Sequence, residues 1–172
     1  THTKELDVRR GVEGDLKRFL SLMKPLEEAG KLGPLLIQLS PSFTADRHWR
    51  HLESFLEVLP DGYLWAVEFR HPSWLDRMDE ALKLLESHGV AYTIVDEPLL
   101  PPDCHVTTRR FAYVRWHGRG KRPWYYYHYS REELEPWVPR VLDLLRKVDV
   151  VYGYFNNHFR AYAVHTCLMM LE

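Results

Sequence analysis

The chain has 172 residues, 45% of them hydrophobic and 27% charged, which is the composition of a globular protein with enough residues for one well-formed core. Its formal net charge of −1 excludes a global positive field that would hold nucleic acid, so such binding would require a local basic patch. The two cysteines, Cys104 and Cys167, predict neither a disulfide framework nor a metal site. No apolar run approaches the ~18 residues of a membrane span, and the sequence shows no signal-peptide pattern. We therefore expect a cytoplasmic protein without membrane contact.

The predicted elements alternate between short apolar strands and amphipathic helices. A first helix over 12–29 precedes five predicted strands, at 34–40, 64–70, 90–96, 111–117 and 150–155. Further helices are predicted near 46–58, 76–88, 131–147 and 158–171. Strands that are apolar nearly throughout are buried on both faces, and their alternation with helices indicates a parallel sheet. The sequence therefore predicts one α/β domain over 1–172, with about five parallel strands and flanking helices.

Each predicted strand carries polar or charged residues at its C-terminal end. In chain order they are Gln38; Glu68, Arg70 and His71; Asp96 and Glu97; Arg115 and His117; and Asn156, Asn157 and His158. The carboxyl ends of parallel strands form the active-site face of an α/β barrel and the ligand-binding edge of an open α/β sheet. We therefore expect these side chains to converge on one mouth in either topology.

Four motifs in this order, LLIQLSPSF, VEFRHPSW, YVRWHG and YFNNH, resemble the domain-of-unknown-function 72 (YecE-like) family over essentially the whole chain. The resemblance implies a TIM-type (β/α) barrel and brings no established activity. The family pattern also contains a GTSGW-like first strand and a VEIN-like second strand, which this sequence lacks. The chain thus corresponds to the C-terminal two-thirds of the pattern, and the barrel is expected to be incomplete or open, since a full one needs roughly 200 residues or more.

Glu68, Arg70 and His71 form the densest group of candidate site residues. Alternate residues of a strand share a face, so Glu68 and Arg70 are expected to point the same way. A charged side chain this far into an apolar strand needs a partner of opposite charge or a perturbed pKa. One interpretation is a structural ion pair that closes a barrel layer. The other makes Glu68 a base or metal ligand beside an anion-holding Arg70, with His71 moving protons or binding a metal.

Arg115 and His117 repeat the same spacing on a later strand. Arg115 suits bidentate contact with a phosphate or carboxylate, or it neutralises Glu68. His117 has the chemistry of a general acid, a general base or a metal ligand. Asp96 is either a turn residue or a group that orients a histidine or binds a metal.

Amides at two strand ends provide candidate ligand contacts. Asn157 is predicted to cap the last helix. That assignment leaves Asn156 as the better candidate for contact with a ligand. Gln38 is interpreted as either a buried hydrogen-bonding group or a further ligand contact.

The loop 118–130, GRGKRPWYYYHYS, is the best local basic patch. It combines Arg119, Lys121 and Arg122 with a run of aromatic residues that includes Tyr126. Basic groups interleaved with aromatic rings bind phosphates and stack on bases or sugars. The alternative is a packed lid whose basic flanks are solvated.

The leading hypothesis is an enzyme with an anion-binding acid/base site, a hydrolase of a phosphate-containing substrate such as a phosphodiester. The candidate catalytic residues are Glu68, His71, Asp96 and His117, and the candidate binding residues are Gln38, Arg70, Arg115, Arg119, Arg122, Tyr126 and Asn156. A divalent metal ion is compatible with these groups, although no spacing selects one. No phosphate loop, GxGxxG, HExxH, CxxC or GxSxG motif is present, and Cys104 is only a weak nucleophile candidate.

Two alternatives remain open. In the first, the chain is a non-catalytic nucleic-acid- or sugar-binding module that uses the loop 118–130. In the second, the shortened chain has lost its activity.

Overall fold

The computed structural model describes residues 2–3, 6–121 and 123–172. The chain divides into two compact units, Thr1–Val90 and Ala91–Glu172. Each unit contains three parallel strands and three α-helices in its described residues, and the strands Ala91–Asp96 and Ala112–Trp116 are joined by a segment without a helix. The predicted α/β class, with parallel strands and flanking helices, is therefore confirmed.

The N-terminal unit has three strands that pair in parallel in chain order. The strands are β1 (His2–Thr3), β2 (Leu35–Leu39) and β3 (Trp65–Glu68). The helices are α1 (Val12–Glu28), α2 (Ala45–Glu57) and α3 (Met78–Ser87), with 3-10 turns at Val8–Arg10 and Pro72–Arg77. The register places Gln38 opposite Glu68, so the polar ends of β2 and β3 are direct neighbours.

An aromatic cluster fixes the turn that follows β3. Trp74 is fully buried, and its indole N–H donates to the carbonyl oxygen of Phe43 at 2.9 Å. Its ring stacks on Phe69 with 4.4 Å between ring centroids. Because a buried indole N–H needs an acceptor, these contacts bind the turn firmly to the segment after β2.

The C-terminal unit repeats the plan of three parallel strands in chain order. Its strands are β4 (Ala91–Asp96), β5 (Ala112–Trp116) and β6 (Val151–Phe155). Its helices are α4 (Arg131–Leu134), α5 (Trp137–Leu145) and α6 (Tyr162–Leu171), with a 3-10 turn at Phe159–Ala161. All six residues of β4 are buried, as expected of a strand covered on both faces.

The structure differs from the predicted elements in three places. The predicted helix 131–147 is split in two, because Pro136 lacks the N–H that a continuous helix requires. The last helix begins at Tyr162 rather than 158, because Arg160 and Ala161 adopt left-handed φ angles of 49° and 61°. Strand β1 was not predicted, since two residues carry no periodic pattern.

Among the residues that the structure describes, none of the helices combines the length and the hydropathy that a membrane span requires.

Candidate functional site

In the N-terminal unit, the end of β3 presents a buried carboxylate between an amide and a guanidinium. Glu68 is 0% exposed. Its Oε1 accepts a hydrogen bond of 2.8 Å from Gln38 Nε2, and Arg70 Nη1 lies 3.4 Å from the same oxygen. The predicted shared face of Glu68 and Arg70 is confirmed by this pair.

His71 lies at the turn after β3, where it caps the Pro72–Arg77 turn. Its Nδ1 accepts from the backbone N–H of Ser73 at 3.1 Å and lies 2.9 Å from Ser73 Oγ. Ser73 Oγ in turn accepts from the N–H of Ala45 at 2.9 Å. Because Nδ1 serves as an acceptor, the ring proton of neutral His71 sits on Nε2. His71 can therefore donate from Nε2, but its Nδ1 is committed to the turn.

In the C-terminal unit, Asp96 is the centre of a buried polar network. Its carboxylate accepts Nε and Nη2 of Arg119 at 2.8 and 2.7 Å, the bidentate geometry that gives the strongest charge-assisted hydrogen bonds. Its Oδ2 also accepts the indole N–H of Trp137 at 2.8 Å. Three donors occupy a carboxylate that is only 3% exposed. These contacts suit a positioning role for Asp96, which holds the loop 118–130 and helix α5 to the end of β4.

The partners of Asp96 also order the loop 118–130. Arg119 Nη1 lies 3.7 Å from Glu133 Oε1, and the hydroxyl of Tyr127 donates to the same carboxylate. The hydroxyl of Tyr129 accepts from the backbone N–H of Gly118 at 3.0 Å. The hydrogen bonds to the Asp96 carboxylate raise the pKa of Arg119, and burial raises the pKa of Tyr127 to about 12. The Arg119 guanidinium is thus already matched by acidic groups, whereas the sequence predicted it to bind substrate.

Sequence reasoning did not identify Trp137, Tyr129 or Glu133 as parts of this network. One local signal was available for Glu133. The stretch Ser130–Glu133 has the serine-x-x-glutamate spacing of a helix capping box, and Glu133 Oε2 accepts the N–H of Ser130 at 2.9 Å.

His117 follows β5 and is 3% exposed. Asn156 Nδ2 lies 3.1 Å from His117 Nδ1. Because an amide nitrogen can only donate, Nδ1 is the acceptor and the proton of the neutral ring sits on Nε2. The backbone N–H of His117 donates to the carbonyl oxygen of Asp96 at 3.0 Å. Asn156 therefore orients the imidazole, which adds to the ligand-contact role predicted for this residue.

Arg115 lies two residues before His117 in β5. It is half-buried, and its Cα is in register with Val95 and Tyr154 of the flanking strands. His117 follows the last residue of β5, so the shared face of Arg115 and His117 stays a prediction.

The prediction that Asn157 caps the last helix is wrong. The N-cap positions after β6 are occupied by His158 and Ala161, neither with a side-chain cap hydrogen bond. Asn157 is instead fully buried, and its Nδ2 donates to the carbonyl oxygen of Tyr127 and to Thr166 Oγ1 at 2.9 and 3.0 Å. This amide therefore ties the loop 118–130 to helix α6.

Tyr126 lies on an exposed aromatic surface of the C-terminal unit. It is 51% exposed and stacks on Phe159 with 3.8 Å between ring centroids. The adjacent Tyr125 stacks on His158 at 4.7 Å. We call these four residues the aromatic platform. Lys121 is exposed nearby in the sequence, whereas Arg122 lies outside the described residues.

Cys104 lacks the environment of a reactive thiol. Burial raises its pKa, which favours the neutral thiol over the nucleophilic thiolate. Residues 2–3, 6–121 and 123–172 also contain no group of three or more histidine, cysteine, aspartate or glutamate side chains placed to hold a metal ion.

The sequence and the fold of this chain were compared with those of known proteins. The sequence matches the family described as "Protein of unknown function DUF72" over residues 1–172. A DUF72 family protein from Thermotoga maritima MSB8 superposes with a TM-score of 0.84 at 36% identity, covering 92% of this chain and 64% of that one.

A DUF72 family protein from Enterococcus faecalis V583 gives a TM-score of 0.75 at 28% identity, covering 88% of this chain and 64% of that one. The chain thus spans slightly less than two thirds of the length of these structures. The comparison with curated proteins found no match. On the match of its whole length, the chain belongs to the DUF72 family.

Proposed function

We propose that this DUF72 protein is a hydrolase of a phosphate-containing substrate, most simply a phosphodiester. Such hydrolysis needs a base that takes a proton from the attacking water and an acid that protonates the departing oxygen. It also needs cations that stabilise the negative charge on the phosphoryl oxygens. Within the N-terminal unit, Glu68 is the proposed base, His71 is the proposed acid and Arg70 is the proposed cation.

The observation that carries this proposal is the wholly buried carboxylate of Glu68. A strand end that served only the core would be apolar, because burying a charged group is costly. Here Gln38 and Arg70 hold that carboxylate at 2.8 and 3.4 Å. A carboxylate held in place in this way can take a proton from the attacking water, as the base requires. His71, whose Nδ1 accepts from the N–H of Ser73 so that its ring proton sits on Nε2, supports the role of acid in the same way.

The wider proposal keeps the architecture predicted from the sequence. It comprises a single domain over 1–172 that forms most of a TIM-type (β/α) barrel, with the carboxyl ends of the strands as the active-site face. The parallel pairing within each unit supports it. The two free cysteines fit the proposed cytoplasmic location.

Glu68→Gln is expected to lower kcat for hydrolysis of bis(p-nitrophenyl) phosphate by about 10²- to 10⁴-fold, the usual contribution of a general base. Glutamine keeps the size of the side chain and its ability to accept from Gln38, but it cannot take a proton. The release of nitrophenolate, followed by absorbance under saturating substrate, measures the effect.

The matched control for this experiment is Glu80→Gln. Glu80 is an exposed carboxylate of the same unit that pairs with Arg77 at 2.5 Å, and its loss is expected to leave kcat unchanged. If Glu68→Gln lowers the unfolding temperature but turns over substrate at the wild-type rate, Glu68 and Arg70 form only a structural ion pair.

A specific observation also supports a second candidate function, binding of nucleic acid or sugar without turnover. The aromatic platform exposes Tyr126 and Tyr125, at 51% and 36%, on rings that Phe159 and His158 already support by stacking. Rings held rigidly in this way can stack on a base or a sugar with little loss of side-chain entropy.

Tyr126→Ala is expected to weaken binding of a single-stranded oligonucleotide by about 1–3 kcal/mol, the usual loss of one base–aromatic stack. Fluorescence anisotropy of a labelled oligothymidine at low salt measures the affinity, with a labelled oligosaccharide as a parallel probe. Tyr154→Ala is the control, because Tyr154 is a similarly exposed tyrosine (43%) of the same unit outside the platform. Equal affinity of Tyr126→Ala and wild type for both probes would rule out this function for the platform.

A further inference from the structure

The N-terminal unit contains a polar cavity that the proposed hydrolase activity does not use. It lies between the Val8–Arg10 turn and helix α2 and has a volume of about 230 Å³. The lining residues are Asp7, Val8, Arg9, Arg50, His51 and Ser54. We call it the basic cavity. We propose that the basic cavity is an anion site that binds the phosphate group of a small molecule.

Two arginines from separate segments converge on this cavity. Arg9 comes from the 3-10 turn and Arg50 from the middle of α2. In the described part of the chain, neither guanidinium takes part in an ion pair. Exposed arginines are commonly only solvated, but here two of them line the same concave volume. Guanidinium groups offer paired donors that match the oxygens of a phosphate.

The one acidic residue of the lining is already engaged. Asp7 Oδ1 accepts the backbone N–H of Arg9 at 3.0 Å, and Asp7 Oδ2 lies 3.6 Å from Arg10 Nε. Asp7 therefore caps the turn and pairs with a cation that does not line the cavity. The two guanidinium groups of the lining thus outnumber its one carboxylate, and the lining carries a net positive charge.

Ser54 and His51 add further polar groups to the same wall. The Ser54 hydroxyl lies one helical turn after Arg50, so both are on one side of α2. The His51 ring packs edge-on against His48 at 5.7 Å. Its Nδ1 is buried with no hydrogen-bond partner among the described residues. No contact therefore fixes the ring proton on Nδ1, and the ring can carry it on Nε2 instead.

The size of the cavity fits this class of ligand. One water takes up about 30 Å³ of liquid, so 230 Å³ corresponds to several waters and leaves room for a tetrahedral anion. An apolar ligand would leave the arginine and serine donors of the wall without partners, which is costly. The positive charge and the hydrogen-bond donors of the lining thus favour a phosphate group.

The test is a calorimetric titration of the whole chain with inorganic phosphate at low ionic strength, where exposed charges are least screened. Arg50→Gln and Arg9→Gln are each expected to weaken phosphate binding by at least about tenfold, because each removes a charge-assisted contact. The control is Arg47→Gln, which removes the same charge from an exposed position of α2 outside the cavity. Its affinity is expected to stay within about twofold of wild type.

Phosphate binding that Arg50→Gln and Arg9→Gln leave intact overturns the proposal. An equal loss in Arg47→Gln overturns it as well, because the effect would then be general electrostatics. Arg70→Gln separates this site from the proposed active site, since phosphate binding lost only in that variant belongs to the hydrolase. Amide chemical shifts that move on phosphate addition at 7–9 and 50–54 provide a second readout. Arg9→Gln alone decides the question if Arg50→Gln does not fold.

Discussion

Asp96→Ala is expected to lower the free energy of unfolding by about 3 kcal/mol, the upper part of the range for a single substitution. The change removes the acceptor of two hydrogen bonds from Arg119 and one from Trp137. The Trp137 N–H is then left buried without a partner, which alone costs about 1–3 kcal/mol. Arg119 recovers part of its loss, because its side chain is 40% exposed and can be hydrated.

Urea unfolding followed by far-UV circular dichroism measures this loss of stability. The variant Asp96→Asn separates the contribution of the charge from that of the hydrogen-bond acceptor. The asparagine can still accept from Trp137 but has lost the charge that binds Arg119, so a smaller loss than in Asp96→Ala is expected. Asp149→Asn serves as the control, because Asp149 is an exposed aspartate of the same unit. A stability of Asp96→Ala equal to that of this control would mean that the network does not hold the loop 118–130 in place.

Gly118→Ala is expected to be similarly severe, at about 3 kcal/mol, for a steric rather than an electrostatic reason. Gly118 adopts a φ of +97°, where an L-residue is strained by about 1–2 kcal/mol. An added Cβ would also clash with the carbonyl oxygen of Trp124 and lie 2.8 Å from the Cβ of Tyr127. Neither is the end of a flexible side chain, so the loop backbone has to shift, at a further cost of about 1–3 kcal/mol.

Gly62→Ala separates the two contributions. Gly62 has a similar φ of +93°, but a Cβ there would meet no atom within 4 Å. Its substitution therefore costs only the backbone strain. The difference in unfolding midpoint between the two variants, from thermal melts, isolates the clash. Two variants with the same midpoint would show that the loop around Gly118 yields without cost.

The candidate site was only partly predictable from the sequence. The pairing of Glu68 with Arg70 follows from the period of two along a strand, because residues two apart must share a face. The involvement of Gln38 follows less directly, since it depends on the register that places Gln38 opposite Glu68. Register is set by the pairing of whole strands, which a single strand does not reveal.

Side chains far apart in the sequence account for what could not be predicted. Asp96 was expected to be a catalytic group or a turn residue, but Arg119 and Trp137 occupy its oxygens from 23 and 41 positions away. The capping role predicted for Asn157 failed for a related reason. The backbone at Arg160 and Ala161 is left-handed, which moves the start of the helix beyond the reach of Asn157.

By itself, the sequence determined the order of the strands and helices and the strand ends that carry polar groups. Apolar runs and helical spacing are local properties, so neighbouring residues are sufficient to specify them. The tertiary structure alone decided which acceptor each donor meets. It committed Asp96 and Arg119 to each other, oriented His117 through Asn156, and left Arg9 and Arg50 facing a cavity. Those outcomes depend on packing between distant segments, because a buried polar group takes the partner that the fold brings within reach.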